Sequence, residues 1–228
     1  MCIRDSDHGV DVAIERSLDE LYHALNEHFL KYPYILGGVP SMADYGLMGP
    51  LYAHHGRDPV SSNDLKQRAP AIYRWIETMQ RPPVLDPEVW HVPQEFFSPD
   101  DLPDTLISFL KLVGENFVSE ITGTIELYHQ WLDAQEHEAG AIIDVEGQKR
   151  CHQVLGQLEH AQMGTPIQRI ALLDDVAHHQ RFLSLIDEMN AAEKERLTGI
   201  LQAIGVQDLA GVKLKQNMKR ENYAFVLT

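Results

Sequence analysis

The chain has 228 residues, of which 44% are hydrophobic, and it carries a formal charge of −15. No run of about 18 apolar residues occurs, which excludes a membrane-spanning helix, and the negative charge disfavours nucleic acid and anionic membranes as partners. Only two cysteines are present, so the composition predicts no disulfide framework and favours a reducing, cytoplasmic location.

The N-terminal residues divide into an irregular leader and a predicted helix. Residues 1–6 show no periodicity, so we interpret them as foreign to the protein and the chain as a piece of a longer one. Between residues 12 and 30 apolar side chains recur every three or four residues, which predicts an amphipathic helix. If a preceding domain is missing, we expect a contiguous apolar surface near Leu18, Leu21 and Tyr22.

A second helix is predicted to begin at Ser41. Ser41 and Asp44 have the spacing of a capping box, and Pro40 has the position to pack on Tyr45 as a hydrophobic staple. Pro50 lies inside this helix, where its missing N–H and its clash with the carbonyl of Gly46 predict a kink.

Two further short helices are predicted before residue 82. Residues 56–59 have the composition of a turn, after which Ser62 or Asn63 is predicted to cap the first short helix. Pro70 opens the second, in which Trp75 lies on the apolar face. Prolines at 82, 83, 87, 93, 99 and 103 then predict a linker over residues 83–103, anchored by Trp90, Phe96 and Phe97.

The remaining residues, 104–228, are predicted to form a mainly helical extension. Apolar periodicity predicts a short helix over 106–113, a longer one over 115–135 and another over 172–189. Asn190 and Glu193 have the capping-box spacing of a final helix, which Gly205 ends. Residues 153–171 are ambiguous and are compatible with a small hairpin across Gly164, while residues 223–227 alternate and predict an extended tail.

The first third of the chain resembles the helical C-terminal domain of glutathione transferases. Four parts carry this resemblance: the amphipathic helix, the loop 34–38 with its Gly37-Gly38 pair, the helix capped at Ser41, and the helix with Trp75. The resemblance implies an all-α fold, with a partial transferase-like helical bundle over residues 7–82. It further implies that residues 104–228 are similar to the extension of some bacterial members.

The same resemblance implies what this chain lacks. Such transferases bind glutathione in a separate thioredoxin-like domain, which also carries the catalytic residue, and no segment here matches that domain. We therefore assign no catalytic residue and no cofactor to this chain, and glutathione enters only as an implied co-substrate. The partners that follow are the missing thioredoxin-like domain and, as one arrangement, a second copy in a homodimer, with no nucleic acid and no membrane.

The candidate site residues are few. Tyr52, His55 and Arg57 follow the capped helix, where we predict that they line the edge of a hydrophobic substrate cleft, although such residues also commonly just close a helix end. Ser41 and Asp44 are assigned a structural role as the capping box.

Twelve histidines invite a metal hypothesis, which we weigh against a structural one. Asp174 with His178, and Asp175 with His179, have helical i,i+4 spacing, and Cys151, His152 and His160 lie within the preceding 25 residues. Structural zinc needs four ligands with firm spacing, so we interpret the pairs as acid–imidazole contacts on a helix and predict no metal site.

Two functions remain open. One is the helical part of a glutathione transferase-like enzyme, contributing the side that binds a hydrophobic co-substrate and inactive by itself. The other is a non-catalytic interaction module built on the same scaffold.

Overall fold

The computed structural model describes residues 9–80, 89–134, 136–145, 147 and 152–228. These residues form two compact units, Glu15–Leu112 as the first and Val113–Thr228, with residues up to Ile14, as the second. Seven α-helices and two antiparallel hairpins occur among the described residues. In chain order they are α1 (Val10–Phe29), α2 (Met42–Pro50), α3 (Pro59–Arg68), α4 (Pro70–Met79), α5 (Asp104–Asp133), β1 (Val154–Gln162), β2 (Thr165–Leu172), α6 (Leu173–Glu188), α7 (Ala191–Ala203), β3 (Met218–Glu221) and β4 (Ala224–Leu227). The predicted leader, residues 1–6, lies outside the described residues.

The first unit is helical around one apolar core. Leu25 and Phe29 of α1 are fully buried, and the Phe29 ring stacks on Trp75 of α4 with centroids 4.9 Å apart. Tyr22 is also buried, while Leu18 and Leu21 are half-buried against the same core. The expectation of an exposed apolar surface at these three residues is therefore wrong, because the first unit itself covers that face of α1.

The helix that begins at Ser41 is confirmed, and its end differs from the expectation. Directly after Pro50 the chain continues as a π-helical turn, Leu51–Gly56, in which hydrogen bonds span five residues. The N–H of Leu51 bonds the carbonyls of both Leu47 and Met48, so the backbone hydrogen bonding continues past the proline instead of breaking. Helix α3 begins at Pro59 with Asp58 as its N-cap, and the predicted cap at Ser62 or Asn63 is wrong.

The Gly37-Gly38 pair allows a later segment to approach the backbone closely. The Gly38 N–H donates to the Glu95 carbonyl at 2.8 Å, and a Cβ on Gly38 would lie 1.8 Å from the Pro93 carbonyl oxygen. Of the three aromatic anchors predicted here, only Phe97 packs against the core, since Trp90 and Phe96 are 75% and 56% exposed.

The second unit corrects the all-α fold class. Strands β1 and β2 pair antiparallel across a two-residue turn at Met163 and Gly164, so residues 153–171 adopt the hairpin that the sequence left open. Strands β3 and β4 form a second hairpin, and residues 141 and 143 add backbone hydrogen bonds to β4. The extended tail is thus a paired strand. One continuous helix, α5, replaces the two helices predicted over 106–135.

Helices α6 and α7 agree with the sequence. Asn190 caps α7, with its side chain accepting from the Glu193 N–H at 3.1 Å and the Glu193 carboxylate accepting from the Asn190 N–H at 2.8 Å. Most of the described residues are helical, and the strands among them, β1 to β4, belong to the second unit.

Candidate functional site

The three residues predicted as a cleft edge separate into two contacts in the first unit. Arg57 donates from Nη1 to the Tyr52 hydroxyl at 2.6 Å, and its guanidinium carbon lies 5.3 Å from the Tyr52 ring centroid. His55 contacts Tyr22 of α1 instead. The π-helical turn explains the first contact, since it aligns residues five positions apart on one side.

The Tyr22–His55 contact is a neutral hydrogen bond. The Tyr22 hydroxyl oxygen lies 2.7 Å from Nδ1 of His55, and the tautomer of His55 sets which of the two groups donates. Burial raises the pKa of Tyr22 to about 12, with Asp64 and Asp19 adding to the shift against Arg68. Burial and the neighbouring His54 lower the pKa of His55. Both groups therefore stay uncharged at neutral pH, and the lowered pKa makes His55 a weaker proton acceptor than an ordinary histidine.

Sequence reasoning missed Tyr22 as a partner of the site. The Arg68 guanidinium lies 5.7 Å from the Tyr22 ring centroid and forms ion pairs with Asp19 and with Asp64, the latter at 3.1 Å. The only local signal was the i,i+4 spacing of Asp64 and Arg68. Because Tyr22 and His55 are 33 positions apart, no local pattern could have predicted their contact.

Asp44 is the most heavily bonded carboxylate of the first unit and is fully buried. Its Oδ2 accepts from the Ser41 N–H at 2.8 Å and from the Ser41 hydroxyl at 2.7 Å, completing the predicted capping box. Its Oδ1 accepts from the Ile35 N–H at 3.0 Å and from the Trp75 indole at 3.2 Å. The predicted hydrophobic staple between Pro40 and Tyr45 contributes little, because the Tyr45 side chain is 60% exposed. Asp44 therefore joins the loop before α2 to α4.

His28 performs a similar structural role at the end of α1. Its Nε2 lies 3.1 Å from the Tyr34 carbonyl, which can only accept, so Nδ1 accepts from the Thr105 hydroxyl at 3.0 Å. Burial lowers the pKa of His28, and the side chain is neutral at pH 7. Both ring nitrogens of His28 therefore form hydrogen bonds within the first unit.

The side chains considered as metal ligands in the second unit have other contacts in the structure. His152 Nδ1 lies 3.0 Å from Asp174, and buried His179 donates from Nε2 to the Val212 carbonyl at 2.8 Å. Burial, helped by Glu120, raises the pKa of Asp175. Cys151 lies outside the described residues, and within those that are described no three His, Cys, Asp or Glu side chains converge to hold a metal.

Two lysines near the C-terminus form ion pairs: Lys215 pairs with Asp133, and Lys219 pairs with Glu221 at 2.8 Å. Among the described helices none has the length and apolarity to cross a membrane.

Comparison with known proteins agrees with the resemblance over the first unit. Residues 10–83 match the family model described as glutathione S-transferase, C-terminal domain. This range holds α1 to α4, the Gly37-Gly38 loop and the Asp44 network. No curated protein and no solved structure matches the chain significantly. The matched residues, about a third of the chain, are similar to the C-terminal domain of glutathione S-transferases.

Proposed function

We propose that residues 10–83 supply the side of a glutathione transferase-like enzyme that binds the hydrophobic co-substrate. In the full-length protein a thioredoxin-like domain would bind glutathione and provide the catalytic residue. The family match supports the scaffold. The proposal also places the protein in the cytoplasm, in keeping with its two cysteines.

The observation that carries the proposal is an uncharged exposed face of α2, which we call the α2 face: Met42, Tyr45, Gly46 and Gly49. Met42 is 85% and Tyr45 is 60% exposed, and a Cβ on either glycine would meet no atom within 4 Å. The spacing of three or four residues places all four on one side of the helix. The one charged residue of α2, Asp44, is buried, so an apolar ring can approach this face without desolvating a charge.

We infer that Tyr52 and Arg57 provide polarity next to this face, because they lie in and directly after the π-helical turn that follows α2. The Arg57 guanidinium lies over the Tyr52 ring and donates to its hydroxyl. An aromatic co-substrate that bears an anionic group matches this combination, because the ring contacts the face and the guanidinium pairs with the anion.

The test uses anilinonaphthalene sulfonate, an aromatic sulfonate, and the whole chain. We expect saturable fluorescence enhancement, with a Kd raised about fivefold by Arg57→Ala and by Tyr45→Ala, the scale of one exposed contact. Lys66→Ala is the matched control, since Lys66 also lies over a tyrosine ring, that of Tyr73 at 4.5 Å, away from the α2 face. Equal effects of Arg57→Ala and Lys66→Ala would refute the assignment.

The chain alone is expected to show no saturable glutathione binding by calorimetry. The pKa of Tyr22 is raised to about 12, so its hydroxyl is not available as a phenolate at neutral pH, and the lowered pKa of His55 weakens it as a base towards the thiol of glutathione. Saturable micromolar binding of glutathione would overturn the division of roles between this chain and a thioredoxin-like domain.

A non-catalytic interaction module is the second candidate, and the same α2 face favours it. An uncharged face on a chain with a formal charge of −15 suits a protein partner or a second copy in a homodimer. Sequencing the genomic DNA upstream of the Asp7 codon separates the two candidates. An in-frame thioredoxin-like domain supports the enzyme, and a genuine start codon with its ribosome-binding site supports the module.

A further inference from the structure

The turn of the hairpin β3–β4 contains a tyrosine in a conformation that favours glycine. Glu221 and Ala224 are the last paired residues, which leaves a two-residue turn. Both of its residues have positive φ, 49° at Asn222 and 65° at Tyr223. This is the pattern of a type I′ turn, in which asparagine suits the first position and glycine the second. Tyr223 therefore holds its Cβ at a sterically costly position.

Burial of the Tyr223 side chain does not compensate for this strain. The Tyr223 side chain is 85% exposed, whereas Phe225 and Leu227, further along β4, are buried. A side chain that is both strained and exposed does not serve the fold, and such residues concentrate at functional sites. Tyrosine is also enriched among the residues that dominate binding energy at protein interfaces.

One basic side chain, Arg220, lies two residues before Asn222 of this turn on a chain with a formal charge of −15. Lys219 pairs with Glu221, while among the described residues Arg220 has no carboxylate partner. The Arg220 guanidinium lies 5.6 Å from the centroid of the Phe225 ring opposite it, which holds it on the hairpin with its N–H donors available.

We propose that the β3–β4 tip, comprising Arg220, Asn222 and Tyr223, docks an acidic segment of a partner protein. Tyr223 supplies the aromatic anchor and Arg220 the charge that pairs with a carboxylate. A short acidic segment fits better than nucleic acid, because the acidic remainder of the chain repels a long polyanion. At physiological salt charges farther apart than about 8 Å are largely screened from each other, so a short segment bound at the tip interacts mainly with Arg220 and not with the acidic residues of the rest of the chain. This site belongs to the second unit and does not depend on the function proposed for residues 10–83.

The experiment measures fluorescence anisotropy of a labelled peptide of six glutamates around one tryptophan, titrated with the whole chain. We expect saturable binding that weakens as NaCl is raised from about 50 to about 300 mM, because salt screens the Arg220 contact. Tyr223→Gly should weaken binding about tenfold, the scale of a lost anchor, and Arg220→Ala should weaken it about fivefold. Since glycine accepts the turn conformation, Tyr223→Gly should leave the Tm no lower than that of the wild type.

The hairpin β1–β2 offers a matched control. Met163 also has a positive φ, 51°, in a two-residue turn of the second unit. Met163→Gly should leave the Tm no lower and the peptide affinity unchanged. The proposal is overturned if Tyr223→Gly binds the peptide like wild type, if it lowers the Tm, or if neither variant nor wild type binds. Tighter binding of single-stranded DNA than of the peptide would also overturn it, in favour of a nucleic-acid surface.

Discussion

The Asp44 network makes a quantitative prediction about the stability of the first unit. Asp44→Ala removes a fully buried acceptor and leaves the Ile35 N–H, the Ser41 N–H and the Trp75 indole N–H without it. Each buried donor left without an acceptor costs about 1 to 3 kcal/mol. Part of this cost is offset, because folding no longer has to desolvate a buried carboxylate. We therefore expect Asp44→Ala to lower the free energy of unfolding by about 4 kcal/mol. Ser41→Ala should cost about 1 kcal/mol, the usual value for a lost N-cap.

Asp58 provides the matched control. It also caps a helix, accepting from the Val60 and Ser61 N–H groups at 3.0 and 3.1 Å, but it is exposed. Asp58→Ala should therefore cost only about 1 kcal/mol, because water can replace the carboxylate. Urea unfolding followed by tryptophan fluorescence measures these losses, and amide exchange at Ile35 reports the Asp44 contact directly. If Asp44→Ala costs no more than Asp58→Ala and leaves Ile35 exchange unchanged, the reasoning fails.

Three other predictions concern histidines. Burial lowers the pKa of His28 in the folded state below its ordinary 6.5. The contribution of neutral His28 to the free energy of unfolding should therefore be complete above pH 6.5 and be lost as the pH falls towards the folded pKa. Between pH 7.5 and 5 the urea midpoint of His28→Gln should fall less steeply than that of the wild type. His160 is buried, and among the described residues neither of its ring nitrogens has a hydrogen-bond partner, so His160→Leu should stabilise the fold by about 1 kcal/mol in the same assay. His179→Leu, which removes a bond to the Val212 carbonyl, should destabilise it. Zinc should leave the Tm unchanged, and a stoichiometric rise that disappears in the His178→Ala, His179→Ala double variant would restore the metal hypothesis.

The parts of the fold that sequence could predict are those with short-range signals. The capping boxes at Ser41 and Asn190 each span four residues, and both helices begin where that spacing predicts. The Asp58-Pro59 start of α3 also has a local signal, an N-cap followed by proline at the first helical position, which the turn interpretation overlooked. Helix starts were thus within reach of sequence reasoning even where the prediction failed.

The hairpins of the second unit had weaker signals. Strand β1 contains Gly156 with a φ of 157° and a register shift beside it, and strand β3 carries Lys219, Arg220 and Glu221 in three consecutive positions. A bulge and a charged run both interrupt the two-residue alternation that marks a strand. Tertiary pairing, above all the backbone bonds that residues 141 and 143 make to β4, decides these segments.

The sequence could predict only part of the candidate site, because one of its contacts joins residues close in sequence and the other joins residues on distant elements. The Tyr52–Arg57 contact depends on a π-helical turn that follows Pro50, so proximity in sequence was sufficient to propose it. The Tyr22–His55 contact joins elements that are distant in sequence, and burial, which raises the pKa of Tyr22 and lowers that of His55, is a property of the folded unit. The hydrogen bonds of His28 and Asp44 likewise depend on tertiary neighbours, Thr105 for His28 and Trp75 for Asp44. The local spacing of a few residues therefore predicts the helix caps but not the protonation states of the side chains around them.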